Sequence, residues 1–305
     1  MEKIRLGKSG LMVPPIAVGC MRITGMTASE TEAFFRTAIE EGANFIDHAD
    51  IYGAGRCEEI FGDLMRTAMI PRERVLIQSK CGIKNQEFDF SKKHILASVE
   101  GSLKRLKTDY IDVLLLHRPD ALVEPEEVAE AFDLLHKAGK VRHFGVSNHK
   151  PMQIRLLQKY LRQPLVANQI QMSITNATAV TQGLSVNTMM ENGVDRDGSV
   201  LDFCRLEDIT VQPWSPFQHG YFSGPFLGNE KYPELNRLID ELAEKYRVAN
   251  TTIAIAWLLR HPAKLQPVTG TTNVQRLRDC IRAAEIKLER SEWYRLLLAA
   301  GNTLP

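Results

Sequence analysis

The chain has almost no net charge: 38 Lys and Arg stand against 37 Asp and Glu in 305 residues, a formal +1. A nucleic-acid surface needs a clear basic excess, so no nucleic-acid partner is expected. With 44% hydrophobic residues the chain also lacks the low hydropathy and high charge of a disordered protein. No apolar run approaches the roughly 18 residues that suggest a membrane span. The opening MEKIRLGKSG has no apolar stretch of the kind found in secretory signals, so neither export nor a membrane partner is expected. Cysteine is sparse. Cys20, Cys57, Cys81, Cys204 and Cys280 are odd in number, scattered and never spaced C-x-x-C, which argues against a disulfide scaffold and against a zinc site. Reduced thiols, no metal and a cytoplasmic location are the expectation; composition does not indicate an oligomeric state.

What is present is a regular alternation. A hairpin is expected over Ile4–Val13, turning at GKSG. Candidate strands follow at 16–18, 44–46, 75–78, 111–115, 143–146, 165–168, 210–213 and 265–268. They are short and apolar, as parallel strands buried on both faces should be. Helices are expected at 29–41, 91–106, 125–138, 151–160, 201–206, 233–246, 251–260 and 274–284, with a last one at 291–299. Ser91, Pro125 and Gly139 sit where caps and helix starts and stops belong. The polar stretch 175–198, with its NG and DG pairs, reads as a loop with room for a short hairpin. The loop Phe217–Tyr232, rich in Gly and aromatics, is expected over a barrel mouth.

Eight strand–helix units fit a (β/α)8 TIM barrel and also a doubly wound sheet. No Gly-rich dinucleotide turn follows the first strand. Gly19-Cys20-Met21 is not G-x-G-x-x-G, and Tyr52-Gly53-Ala54-Gly55 lacks the third Gly, which favours the barrel. The expected fold is α/β: a single barrel domain over residues 1–305, with an N-terminal β-hairpin and an extra C-terminal helix. Barrel active sites lie where strands run out at their C-terminal ends. There the sequence places Asp47 and then Tyr52, Ser79-Lys80, His117-Arg118, Ser147-Asn148-His149, Gln169 and Trp214-Ser215. Each alone could be a loop charge, a turn aromatic or a satisfied core residue. Asp, Tyr, Lys and His in order on successive strands form a set that chance rarely assembles.

These residues lie in blocks that resemble the aldo-keto reductase family along essentially the whole chain. The blocks are RLGKSGLMVPPIAVGCMR, FIDHADIYG, IQSKCG, LLLHRPD, GKVRHFGVSN, WSP and GTTNVQRL, in register and in order. The forms DHADIYG and VRHFGVSN are similar to a bacterial subgroup of general oxidoreductases. The resemblance implies reduction of an aldehyde or ketone by hydride transfer from NADPH, with NADH the lesser alternative. It also implies a catalytic tetrad of Asp47, Tyr52, Lys80 and His117. Tyr52 would donate the proton, Lys80 would lower the phenol's pKa, Asp47 would hold Lys80, and His117 would orient the carbonyl. Carried over in the same way, the cofactor positions are Gly19, Cys20 and Met21; Ser147, Asn148 and Gln169 at the carboxamide; Trp214 on the nicotinamide face; and Ser215 and Pro216 toward the pyrophosphate. Gly270, Thr271 and Thr272 would lie at a phosphate, Arg276 at the adenosine 2′-phosphate, and Asp279 and Cys280 near adenine.

The chain departs from the family pattern at three places. Gly270 stands where a Lys is common, Cys280 where an Asn is common, and His149 where an aromatic usually follows Ser-Asn. Met21, Arg22, Ile51, Arg118 and the 217–232 loop are expected at the mouth. Arg118 either attracts an acidic carbonyl compound or is bound to a neighbouring acid, the second being the expectation. A slow-turnover nucleotide-binding sensor, or a barrel enzyme using Lys80 as a Schiff base, are the other readings open from sequence.

Overall fold

The computed structural model describes residues 1–85 and 87–305. The chain opens with a two-residue ladder, β1 (Ile4–Arg5) antiparallel to β2 (Met12–Val13), around a tight 3-10 turn at Gly7–Ser9. Barrel strands β3 (Ala17–Gly19), β4 (Phe45–Asp47) and β5 (Leu76–Cys81) follow. A small ribbon, β6 (Ile83–Lys84) with β7 (Glu87–Phe88), projects after them. Then come β8 (Ile111–Leu116), β9 (Val141–Ser147), β10 (Leu165–Gln171), β11 (Thr210–Trp214) and β12 (Val268–Thr269). The order β3-β4-β5-β8-β9-β10-β11-β12 closes on itself with every pairing parallel, a (β/α)8 barrel.

The helices are α1 (Ala28–Glu40), α2 (Arg56–Thr67), α3 (Lys92–Leu106), α4 (Pro125–Lys137), α5 (Pro151–Tyr160) and α6 (Thr178–Leu184). They continue with α7 (Val200–Leu206), α8 (Pro233–Tyr246), α9 (Asn250–Leu259), α10 (Val274–Arg282) and α11 (Arg290–Ala299). Local chemistry sets their ends. Thr27 and Glu30 form a reciprocal capping box at α1, and Ser91 and Asn273 accept N–H bonds at the starts of α3 and α10. The C-terminal helix is clamped on: Trp257 and Trp293 stack at 4.9 Å, and each indole N–H donates to the other's backbone carbonyl. Among the described residues, no helix is long and apolar enough to cross a membrane.

Two apolar layers result. The larger lies between the outer barrel face and the helices; the smaller fills the lower barrel with Leu6, Val13, Ala17, Phe45, Val113, Leu115, Val166, Ala167 and Val268. Leu6 and Val13 come from the hairpin, so the hairpin plugs the N-terminal end. The Gly7 N–H donates to Thr210 Oγ1 at 2.8 Å and fastens it there. With that end sealed, the C-terminal end of the strands is the open mouth.

Two segments differ from the sequence expectation. Helix α2 is missing from that expectation although Cys57, Ile60, Phe61, Leu64 and Met65 recur at helical spacing; it has no capping side chain, and Gly62 sits in its middle. Gly62 is required by packing, since a Cβ there would lie 2.4 Å from the Arg105 carbonyl oxygen. Over 175–198 the chain forms α6 and a 3-10 turn at Glu191–Gly193, with no strand. The Asp195 carboxylate accepts from the N–H groups of Asp197, Gly198 and Ser199, so the DG pair makes a turn into α7 instead of a hairpin.

Candidate active site

Alternation along each short strand sends one set of side chains into the barrel. In β4 and β5 that set includes Phe45, Asp47, Gln78 and Lys80, with Asp47 in register with Gln78. The apolar members lie low and the polar ones high. Lys80 is 0% exposed and Asp47 2%. The Lys80 ammonium donates to both Asp47 oxygens at 2.8 Å, to the His48 carbonyl at 2.8 Å and to the Tyr52 hydroxyl at 3.2 Å. Burial, the largest influence, pushes this ammonium down; Asp47 and Tyr52 together outweigh it and leave Lys80 above the ordinary lysine value. Its N–H groups are thus engaged by Asp47, the His48 carbonyl and Tyr52, an arrangement that favours the charged ammonium.

Asp47 is held from below by a chain of amides. Gln78 Nε2 donates to its Oδ1 at 2.6 Å and Gln169 Nε2 at 3.2 Å. Gln212 bonds Gln78 in both directions and donates to Gln266, whose own Nε2 reaches the Pro14 carbonyl at 2.7 Å. All four glutamines are at most 3% exposed. Sequence reasoning assigned a role only to Gln169. The signal for the others was a glutamine at inward parity within an apolar strand.

Tyr52 reaches Lys80 because the chain after β4 runs on beside β5: His48 N–H donates to the Gln78 carbonyl and Asp50 N–H to the Lys80 carbonyl. The next three residues, Gly53, Ala54 and Gly55, all have positive φ (56°, 54° and 90°), a turn that needs its glycines before α2 begins. The Tyr52 ring is only partly buried, while its hydroxyl lies against Lys80. Burial raises the phenol above its ordinary value and Asp47 adds to that; Lys80 pulls it down without prevailing. The Lys80 influence thus runs in the expected downward direction, but burial outweighs it and the net shift is upward. His117 faces it, ring centroids 5.9 Å apart and planes at 79°. Burial, then the Lys80 and Arg118 charges, hold His117 well below the usual histidine range, so the ring is neutral.

Behind Tyr52 lies a second buried network absent from the sequence expectation. Glu58, 0% exposed, accepts from Ser79 Oγ at 2.6 Å and from Arg105 Nε at 2.8 Å. His48 is fully buried, and neither ring nitrogen has a partner among the described residues. Burial and the Glu58 charge push Asp50 up to about 7. An acid raised in the folded state takes up a proton on folding, so stability is lost as pH climbs from about 4 to about 7. Asp50→Asn mimics the protonated form permanently. Its melting temperature relative to wild type is expected to rise across that window, by the equivalent of about 4 kcal/mol, in thermal scans at successive pH values.

The ends of β9–β11 bring Ser147, Asn148, Gln169 and Trp214 to the same mouth. Ser147 Oγ donates to the Gln169 carbonyl at 3.0 Å and accepts from Asn148 Nδ2 at 2.8 Å. The Trp214 indole N–H donates to Asn148 Oδ1 at 3.1 Å. Asn148 and Ser215 adopt left-handed backbone, φ 58° and 51°. His149 is buried, stacked on Phe90 at 6.0 Å and bonded to the Ser147 carbonyl at 2.9 Å. It therefore supports the loop and does not face the mouth. Pro216 is buried, Gly19 is partly exposed, and Met21 is 40% exposed. Gly270, Thr271 and Thr272 precede α10, with open space around Gly270. Arg276 is exposed with no ion pair among the described residues, and Asp279 accepts from Gln275 at 3.1 Å. Cys20 and Cys280 are both 0% exposed, so neither residue is open to a ligand, contrary to their expected place among the cofactor contacts. Arg118 has no carboxylate within ion-pairing distance among the described residues, contrary to the expectation of a neighbouring acid. Its guanidinium lies over Trp214 and Tyr221, 5.8 and 5.9 Å from the ring centroids.

Comparison with known proteins agrees with this architecture. A family model described as "Aldo/keto reductase family" matches residues 15–297. The uncharacterized oxidoreductase YcsN of Bacillus subtilis is 35% identical, with 100% of both chains covered. A 6-dehydroglucose reductase of Agrobacterium fabrum is also 35% identical, with 99% of each covered. Among solved structures, a thermostable aldo-keto reductase crystallised with the inhibitor epalrestat superposes with a TM-score of 0.79 at 28% identity. It covers 98% of this chain and is itself fully covered. The closed barrel, the buried Asp47–Lys80 pair beneath Tyr52 and these matches make one assignment: the chain belongs to the aldo/keto reductase family and is an oxidoreductase.

Proposed function

We propose that the chain reduces aldehydes or ketones to alcohols at this mouth, with NADPH as the reductant. The observation that carries the reading is the Lys80 ammonium, locked onto both oxygens of Asp47 and touching the Tyr52 hydroxyl at 3.2 Å. Bound NADPH supplies the hydride that reaches the carbonyl carbon. The chain's own residues manage the charge that then builds on the carbonyl oxygen. Tyr52, protonated at neutral pH, donates its proton to that oxygen. Lys80 stabilises the phenolate left behind, and Asp47 keeps Lys80 charged and aligned. The neutral imidazole of His117 offers a hydrogen bond that orients the carbonyl. A proton from solvent returns Tyr52 to its starting form. In this reading residues 1–305 act as one domain, because the groups involved come from β4 through α10.

The donor set fits the cofactor. Ser147, Asn148 and Gln169 cluster hydroxyl and amide groups suited to a carboxamide, and Trp214 presents an indole face beside them. The backbone N–H groups of Gly270–Thr272 and the start of α10 suit a phosphate. Arg276, exposed and without an ion pair among the described residues, supports the 2′-phosphate and hence NADPH over NADH. Five free thiols, all buried, support a reducing compartment such as the cytoplasm.

The test is a fluorescence titration with NADPH and NADH, followed by turnover of an aldehyde panel. Arg276→Ala is expected to cut the NADPH-over-NADH affinity ratio about tenfold, the worth of one charge-assisted contact at an exposed site. Tighter binding of NADH than NADPH by wild type would remove the Arg276 assignment.

A further inference from the structure

We propose that Arg118 is a substrate-recognition residue, and that the carbonyl compounds taken at this mouth carry a carboxylate close to the reacting carbonyl. The proposal rests on the carbonyl reduction argued above and narrows its substrate class.

The first observation is an unpaired cation. Four arginines are partly buried: Arg72, Arg105, Arg118 and Arg260. Three of them have acceptors. Arg72 pairs with Asp112 at 2.6 Å, Arg105 with Glu58 at 2.8 Å, and Arg260 donates to the Leu288 carbonyl at 2.7 Å. Arg118 alone has neither an ion pair nor a hydrogen-bond acceptor among the described residues. A partly desolvated guanidinium without an acceptor has lost part of its hydration with no compensating bond, and an anion restores it.

The second is where the group stands. Arg118 follows His117 directly at the end of β8, so the residue assigned to orient the carbonyl and the unpaired cation are neighbours in the chain. Trp214 and Tyr221 flank the guanidinium, and Phe222 packs on both rings at 6.1 and 4.7 Å. Tyr221 is 66% exposed and Phe222 54%, so an apolar rim surrounds a cation at an open mouth. Such walls hold the fork in place and lower the local dielectric, which strengthens an ion pair formed there.

The third is the charge balance. Lys80 is neutralised by Asp47, and Arg105 by Glu58. The Arg118 charge has no counterpart among the described residues and acts on His117, adding to burial and Lys80 in keeping that ring neutral. A substrate carboxylate supplies the missing negative charge. Because the Arg118 charge is felt at the His117 ring, that carboxylate and the reacting carbonyl would stand near each other in the bound substrate.

The experiment compares succinic semialdehyde with its methyl ester, on wild type, Arg118→Met and Arg118→Lys, with NADPH in excess. Wild type is expected to favour the acid in kcat/KM by roughly tenfold or more, mainly through KM. Arg118→Met should bring the ratio near unity and Arg118→Lys should retain part of it. Equal kcat/KM for acid and ester in wild type, or a ratio unchanged in Arg118→Met, would overturn the proposal. A second arm titrates unreactive succinate against indole fluorescence. Saturable binding weakened in Arg118→Met supports the subsite, and binding equally tight in that variant, or none in wild type, overturns it. If neither aldehyde is reduced, the carbonyl-reductase reading fails by itself and the succinate arm alone decides the subsite.

Discussion

Tyr52→Phe is expected to lower kcat for aldehyde reduction by about 10²–10⁴-fold, the usual worth of a positioned general acid. The substitution removes one oxygen and leaves the ring and its contact with His117 in place. Lys80 loses a single partner at 3.2 Å and keeps Asp47 and the His48 carbonyl, so the fold should lose no more than about 1–1.5 kcal/mol. Burial holds the Tyr52 proton above the ordinary phenol value. Wild-type kcat/KM should therefore be flat on the alkaline side of neutrality and fall only above about pH 10, where the donor is lost. Steady-state kinetics with circular dichroism as the folding control measure both effects. Turnover by the Phe variant within a few-fold of wild type would assign the proton to another group.

Lys80→Met should act on stability as well as on rate. It leaves the Asp47 carboxylate at 2% exposure with amide donors but no counter-charge. Breaking a buried ion pair on one side costs about 3–5 kcal/mol. The double variant Asp47→Asn/Lys80→Met, which leaves no orphan charge, is expected to be more stable than Lys80→Met alone, and urea denaturation resolves the difference. The sign of the pH dependence follows from the raised Lys80 value. Its stabilising effect is complete below the unfolded lysine value of about 10.5 and is lost as pH rises through the higher folded value. Removing either Tyr52 or Lys80 should cost nearly as much catalysis as removing both, because the groups act as one unit. Additive losses would mean independent roles.

The parts legible in sequence were those written locally. Short apolar runs ending in Asp47, Lys80, His117 and Gln169 announced a barrel mouth, since both the strand and its end lie within a few residues. In helix α2 the helical spacing of Cys57, Ile60, Phe61, Leu64 and Met65 is legible, but its start from a left-handed glycine without a cap is not, and the need for Gly62 comes from Arg105 of α3, 43 residues away. The amide chain under Asp47 was hidden for the same reason on a larger scale. Gln78 and Gln212 are 134 positions apart and meet only when the barrel closes. The net direction of the Tyr52 shift depends on burial, which a motif does not state; proximity to Lys80 gives only the downward part. The isolation of Arg118 is likewise a property of everything packed around it.

The central claim is carbonyl reduction by direct hydride transfer at the Tyr52–Lys80 end of the barrel. The measurement that tests it most directly uses NADPH deuterated at the transferable position with an unlabelled aldehyde, and proton and deuterium NMR of the product. One deuterium on the carbinol carbon of the alcohol, formed in step with cofactor oxidation and suppressed in Tyr52→Phe, is the predicted result. Unlabelled alcohol, or cofactor oxidised with no alcohol formed, would contradict it.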